Sequence, residues 1–249
     1  MIVHDYCCCA GLGADGYAAV LGASPIRGFD HEPQPDYPYA FEKADVMAML
    51  KEGLPPADFR HFSFPCQALT TAGHLRTAQG GTSKYADLLT PGLAMVRERY
   101  NETPWVMENV DDRSGNVRKI MAPREGESLI VLCGTMFGLP IWRHRLFLAN
   151  FPLRQPAPTG AGKYRSQGCR HETCPTGPNG RPKPIGIYHV MGDNIPDGGS
   201  TAASEEEGRR AMGSHRLLPW DKLKEGFPPA YTSWIAADLL THLATGAVA

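Results

Sequence analysis

The first 110 residues alternate short β-rich runs with helix-like ones, and this alternation restricts the chain more than any other feature. The runs "MIVHDYCC", "PIRGFDH", "FRHFSFP" and "PWVMENV" read as strands, with "GADGYAAVLGA", "ADVMAMLKEG" and "DLLTPGLAMVRERY" as helices between them. Short strands separated by helices require parallel pairing through crossover helices. "SLIVLCGTMFG" and "HRLFLANFP" add two further strands. From 152 to 200 the texture changes to proline, glycine and polar residues with little periodicity, which predicts a long loop or a small irregular lobe. Helix signals return at "EEEGRRAMG" and run to "SWIAADLLTHLA". The expected organisation is a main domain over 1–151, a small lobe over 152–200, and a helical segment over 201–249 that completes the main domain.

A chain of 249 residues can bury one sizeable core. It has no apolar run of about 18 residues, so no membrane span is expected. The N-terminus reads as a first strand, since it lacks a basic segment followed by a signal-type apolar stretch. Seven cysteines, three of them consecutive, do not suit a secreted disulfide framework, so a reducing, cytoplasmic setting is expected. The net charge of −1 conceals an asymmetry. Residues 1–60 carry four Lys/Arg against nine Asp/Glu, whereas residues 143–183 carry eight Lys/Arg against the single acid Glu172. A polyanion would be drawn to the second segment and repelled by the first; an ordinary solvated basic loop has the same composition.

Three stretches suggest chemistry. In "DYCCCAGLGADGY", Gly11, Gly13 and Gly16 have dinucleotide-fingerprint spacing between a strand and a helix. Asp30, at the end of the next strand, is placed to hold a ribose hydroxyl pair. The spacing does not choose between NAD and S-adenosylmethionine, and a plain tight turn also satisfies it. In "HFSFPCQALTTAG", Cys66 follows Pro65 at the mouth of a loop rather than inside an apolar period. "PWVMENV" sets Glu108 and Asn109 at the end of an apolar strand, where a carboxylate is costly unless it has a partner or a task. "IWRHRLFLA" places Arg143 and Arg145 two apart, on one face of a strand.

In this order these stretches resemble the DNA (cytosine-5) methyltransferase family, most of all its compact, phage-type members. The similar segments are "DYCCCAGLG", "GFDHEPQPDYP", "KADVMAML", "SFPCQALTTAG", "VMENV", "LCGTMFGLPIWRHRLF" and "GFPPAYTSWIAADLL", which span most of the chain. The resemblance implies an α/β fold: a mostly parallel, Rossmann-like methyltransferase sheet with helices on both faces, plus a small irregular recognition lobe. It implies methyl transfer from S-adenosylmethionine to carbon 5 of a flipped-out cytosine in double-stranded DNA, in a bacterial or phage-infected cell, with no obligatory protein partner. Cys66 would add to carbon 6, Glu108 (with Asn109 beside it) would hold the exocyclic amine and ring nitrogen 3, and Arg145, with Arg143 next to it, would reach the carbonyl at carbon 2.

The cofactor residues implied are Asp5, Tyr6, Cys7, Cys9, Ala10, Gly11 and Leu12 around the turn, Asp30 and His31 at the ribose, Asp45 and Val46 at the adenine, and Pro65, Tyr231 and Thr232 nearby. The sequence departs from the family at three places. Cysteines occupy positions 7 and 9, where the family has an aromatic residue and a glycine. Ile141 stands for a glutamine, and residues 228–232 replace a late Gly-Asn-Ser-type motif.

A base inside a duplex cannot reach Cys66, so it must flip out, as holds for methyltransferases generally. The Gly-rich stretch after Cys66 reads as a lid, with Gln67, His74, Arg76 and Lys84 available to nucleic acid. Target reading falls to the basic lobe, with Lys163, Arg165, Arg170 and Arg181, and its size suggests a short site of about two to four base pairs. Cys169, His171 and Cys174 lack a clear fourth zinc ligand, His189 being the nearest candidate, so no metal is expected. Rival readings are an RNA (tRNA) cytosine methyltransferase, a catalytically silent DNA-binding relative, and an NAD enzyme supported only by the glycine spacing.

Overall fold

The computed structural model describes residues 1–22, 25–66, 68–69, 87–111, 115–141, 143–156 and 202–246. Seven strands form one sheet: β1 (Val3–Tyr6), β2 (Ile26–Asp30), β3 (Ala40–Lys43), β4 (Phe59–Phe62), β5 (Trp105–Val110), β6 (Ser128–Leu132) and β7 (Arg145–Ala149). Their order is β3-β2-β1-β4-β5-β7-β6. The strands β3, β2, β1, β4 and β5 pair in parallel, while β7 runs antiparallel to both of its neighbours. The described helices are α1 (Leu12–Leu21), α2 (Val46–Glu52), α3 (Leu89–Arg99), α4 (Asn116–Ile120), α5 (Glu205–Met212), α6 (Trp220–Glu225) and α7 (Pro229–Ala244). None of the described helices is long and apolar enough to cross a membrane. The parallel strands with crossover helices are those the alternation predicts, and the whole is the Rossmann-like, mostly parallel sheet that the resemblance implies.

Strand alternation sends side chains to two cores. On one face Val3, Ile26, Phe59, Val106 and Phe147 pack with Tyr17 of α1 and with Tyr231, Ile235 and Leu239 of α7. On the other, Tyr6, Phe29, Phe62, Trp105 and Leu148 pack with Val46 and Leu50 of α2, Leu93 and Val96 of α3 and Val117 of α4. The ring of Tyr6 is stacked between those of Phe29 and Phe62, with centroids 5.0 and 4.8 Å away, which ties β2, β1 and β4 together on this side. Strand β3 carries no sequence signal of its own, because it is a largely exposed edge strand without an alternating apolar pattern.

Helix α7 joins the first core by packing on α1, and Gly16 makes this possible. A β-carbon at Gly16 would collide with the Pro229 carbonyl and the Thr232 hydroxyl. The third glycine of the fingerprint therefore serves helix packing, one of the roles such glycines have. Gly16→Ala is expected to destabilise the protein by about 3 kcal/mol through overpacking against backbone. Urea denaturation would measure this, and a loss under about 0.5 kcal/mol would show that the helices move apart freely.

Candidate active site

Topology gathers the chemistry at one edge of the sheet. The parallel strands β1, β2, β4 and β5 all deliver their carboxyl ends there, and the register Val110↔Arg145 puts the start of antiparallel β7 at the same edge. Order reverses at β1, with β2 on one side and β4 on the other, which makes a switch-point crevice of the kind that binds ligands in open α/β sheets.

On the β4–β5–β7 side, Glu108 and Arg145 form an ion pair, Nε to Oε1 at 2.9 Å, with both side chains about nine-tenths buried. Burial pushes the Glu108 carboxyl above its ordinary range, while Arg145, the Ser63 hydroxyl and Arg143 pull it back. Cys66 is half-buried just beyond β4. Burial raises its thiol, Arg145 opposes that rise, and Glu108 adds to it. The free protein therefore holds Cys66 as a thiol, with a guanidinium beside it that favours the thiolate. Asn109 donates from Nδ2 to the Phe64 carbonyl at 2.9 Å and accepts the Val110 amide at 3.0 Å. Its side chain thus fixes the backbone two residues before Cys66. Arg143 precedes β7 rather than sharing a strand face with Arg145. Its guanidinium donates to the Lys224 and Gly226 carbonyls, and the Tyr231 hydroxyl donates to the Arg143 carbonyl at 2.7 Å. Burial and the neighbouring Arg145 push Arg143 down to about 9.

On the β1–β2 side the chain turns sharply after Tyr6. Cys7 and Cys9 have φ of 59° and 44°, and Gly11 has 77°. The left-handed region is easy for glycine and unfavourable for a cysteine. The turn is held from β2, since Asp30 accepts the Cys9 amide at 3.1 Å and the Glu32 amide at 3.1 Å. Nδ1 of exposed His31 lies 3.2 Å from the same carboxylate. Cys8 points inward, where a β-carbon at Gly28 would meet its sulfur. Cys9→Gly is expected to stabilise the protein by about 1 kcal/mol, raising Tm by roughly 2–4 °C, because it removes a left-handed non-glycine residue. A fall in Tm would mean that burial of the cysteine outweighs its backbone cost.

The side chains of the other residues expected at the cofactor have these surroundings. Asp5 is buried in β1, where burial pushes its carboxyl well up and the Tyr37 hydroxyl donates to it at 3.3 Å. The Tyr6 side chain belongs to the aromatic stack, and those of Ala10 and Leu12 to a small apolar cluster with Ile141, Met212 and Leu223. Val46 lies in the core, Pro65 is half-buried, and exposed Asp45 caps α2 by accepting the amides of Met47 and Ala48. Tyr231 and Thr232 are fully buried; the Thr232 hydroxyl donates to the Gly13 carbonyl at 2.7 Å. Only backbone from Tyr6, Ala10 and Leu12 can face the crevice, because packing takes their side chains.

Arg216 had no sequence signal, yet it braces the turn. It donates to Asp15 at 2.8 Å, to the Asp36 carbonyl at 2.7 Å and to the Ala10 carbonyl at 2.6 Å. Gln67, His74, Arg76, Lys84, Lys163, Arg165, Arg170 and Arg181 lie outside the described residues, as do Cys169, His171, Cys174, His189 and nearly all of the expected lobe.

No protein-family model and no curated protein matches the sequence. Solved structures do resemble the fold. A Dnmt2 methyltransferase of S. pombe superposes with a TM-score of 0.55 at 15% identity, over 98% of this chain and 99% of that one. The Entamoeba histolytica methyltransferase EhMeth gives 0.54 at 10% identity, over 98% of both chains. An E. coli prophage protein, provisionally assigned as a DNA modification methyltransferase, gives 0.52 at 11% identity over 98% and 99%. At these identities the likeness concerns the fold: the chain has the Rossmann-like fold shared by these methyltransferases.

Proposed function

We propose that the protein is an S-adenosylmethionine-dependent methyltransferase that methylates carbon 5 of cytosine in double-stranded DNA. The observation that carries this reading is the convergence, at one sheet edge, of half-buried Cys66, the Glu108–Arg145 pair and the turn after β1. The turn suits the cofactor. Its positive-φ residues follow β1 at the switch point, and Asp30 stands beside it at the end of β2. Residues 7–11 would hold the methionine part through their backbone, with Asp30 and His31 at the ribose. Asp45 and Val46 would meet the adenine, and Pro65 would lie between cofactor and substrate. When bound there, S-adenosylmethionine supplies an electrophilic methyl group.

Carbon 5 of cytosine is too weak a nucleophile to take a methyl group unaided. Cys66 adds as thiolate to carbon 6 of the flipped base, which turns carbon 5 into an enamine-type nucleophile. Glu108 accepts a hydrogen bond from the exocyclic amine and, starting protonated as its burial favours, gives its proton to nitrogen 3 as the sulfur adds, ending as a carboxylate. Arg145 contributes twice, by favouring the Cys66 thiolate and by donating toward the carbonyl at carbon 2. Asn109 keeps the Phe64 carbonyl, and with it the Cys66 loop, in place. Once carbon 5 carries the methyl group, its proton passes to solvent as the thiolate departs, and nitrogen 3 returns its proton to Glu108, which restores the ring and the enzyme. The basic residues Lys163, Arg165, Arg170 and Arg181, with Gln67, His74, Arg76 and Lys84, would contact the nucleic acid.

The test is transfer from methyl-labelled S-adenosylmethionine to duplex DNA and to tRNA in parallel. Label at carbon 5 of cytosine in duplex DNA is the expected result. Label confined to tRNA would move the reading to an RNA methyltransferase, and no label with either would overturn it.

A further inference from the structure

Three polar residues between the sheet and helix α1, Tyr17, His61 and Ser63, have no assigned role in the chemistry proposed so far. Tyr17 on α1 is fully buried, His61 on β4 is almost so, and Ser63 follows two residues after His61. The Tyr17 hydroxyl lies 2.8 Å from His61 Nδ1, and His61 Nε2 lies 2.8 Å from the Ser63 hydroxyl. The Ser63 hydroxyl in turn faces the Glu108 carboxyl and draws it back from the rise that burial imposes. The pairing His61↔Val106 and Phe62↔Met107 between β4 and β5 accounts for this last contact, because it brings residues 63 and 108 alongside each other.

We propose that Tyr17, His61 and Ser63 form a hydrogen-bonded chain that ends at the Glu108 carboxyl and positions it. The inference rests on the methyltransferase reading for its consequence in catalysis, but not for its physical content. It makes the three residues positioning residues, since none of them touches the substrate.

The direction of the chain follows from charge. Burial lowers His61 to about 3, so the ring is neutral and carries a single N–H. Burial also keeps the Tyr17 phenol protonated, well above its ordinary range. With the Tyr17 hydroxyl donating to Nδ1, the ring proton sits on Nε2 and is given to the Ser63 oxygen. The Ser63 hydrogen is then free for Glu108. The opposite tautomer would turn the Ser63 hydrogen toward the ring and leave the carboxylate without it. A hydrogen bond to an ionised acceptor is roughly twice as strong as a neutral one, so a carboxylate at the end selects the first direction. Glu108 is also faced by Arg145 and Arg143 at the start of β7 and by Cys66 beyond β4, with Asp5 on β1 and Tyr17 on α1 further off. The chain supplies what the arginines do not: a donor fixed to the same strand that leads to Cys66. It also links Glu108 to helix α1, which begins directly after the turn at residues 7–11.

The experiment follows the Glu108 carboxyl carbon by NMR in glutamate-labelled protein, assigned with Glu108→Gln. Ser63→Ala should raise the Glu108 titration midpoint by about one pH unit, roughly what one hydrogen bond to a charged group is worth. Ser63→Thr, which keeps a hydroxyl, should stay near the wild type. His61→Phe should shift the midpoint in the same direction, because Ser63 loses the partner that aims it. In methylation assays Ser63→Ala should lower kcat about tenfold, leave the KM for S-adenosylmethionine unaltered, and move whichever limb of the pH profile Glu108 governs upward. An unchanged midpoint in folded Ser63→Ala would overturn the proposal. A shift with Ser63→Ala but none with His61→Phe would overturn the chain and leave Ser63 acting alone. If the midpoints move as expected while wild-type protein methylates no nucleic acid, the function proposed above fails and the chain stands.

Discussion

Cys66→Ser is expected to abolish methyl transfer, by roughly three orders of magnitude or more, the scale seen when an enzyme loses its nucleophile. A serine hydroxyl ionises far less readily than a thiol, and the Arg145 guanidinium that favours a thiolate cannot compensate. Stability should hardly change, since the residue is half-buried and the oxygen occupies nearly the same volume. DNA containing 5-fluorocytosine gives the complementary result: fluorine cannot leave as the proton does, so the wild type should be trapped covalently on the DNA and the serine variant should not. Turnover by the serine variant within tenfold of the wild type would refute the assignment of Cys66.

Arg145→Met should have the largest effect on stability. It removes the cation from a pair that is about nine-tenths buried and leaves Glu108 in an apolar site, at a cost of about 3–5 kcal/mol near neutral pH. The cost should depend on pH in a definite direction. Burial already holds the Glu108 carboxyl above its unfolded value, and losing Arg145 raises it further. A carboxyl with a raised folded pKa contributes stability that is fully present below the unfolded pKa and is lost as pH rises through the folded one. The gap between wild type and variant should therefore narrow toward pH 4–5, as Glu108 takes up a proton, and widen toward pH 8. Urea denaturation at several pH values would show this, and a gap independent of pH would mean that Glu108 does not depend on Arg145 for its charge. Methylation should fall at least a hundredfold in the same variant, since the guanidinium faces both Cys66 and Glu108.

The alternation of strand-like and helix-like runs was enough to predict parallel strands joined by crossover helices, because a strand buried on both faces must be apolar and its crossover must be amphipathic. The sequence also marked the points where this pattern is broken by chemistry: the cysteine after Pro65, the carboxylate ending "PWVMENV", and the two arginines of "IWRHRLF". Local rules identify such residues because a polar group at the end of an apolar run needs a reason to be there. Those rules are silent about partners distant in sequence, and there the tertiary structure decided. Antiparallel pairing of β7 with β5 brings Arg145 to Glu108 and sends the Arg143 guanidinium to the carbonyls of 224 and 226. Packing took the side chains of Tyr6, Leu12, Tyr231 and Thr232 for the core. Arg216 reaches Asp15 across 201 positions of sequence, and Tyr17 reaches His61 across 44. Periodicity reports which face of an element is buried; which buried polar groups then meet depends on strand order and register, and those are properties of the assembled sheet.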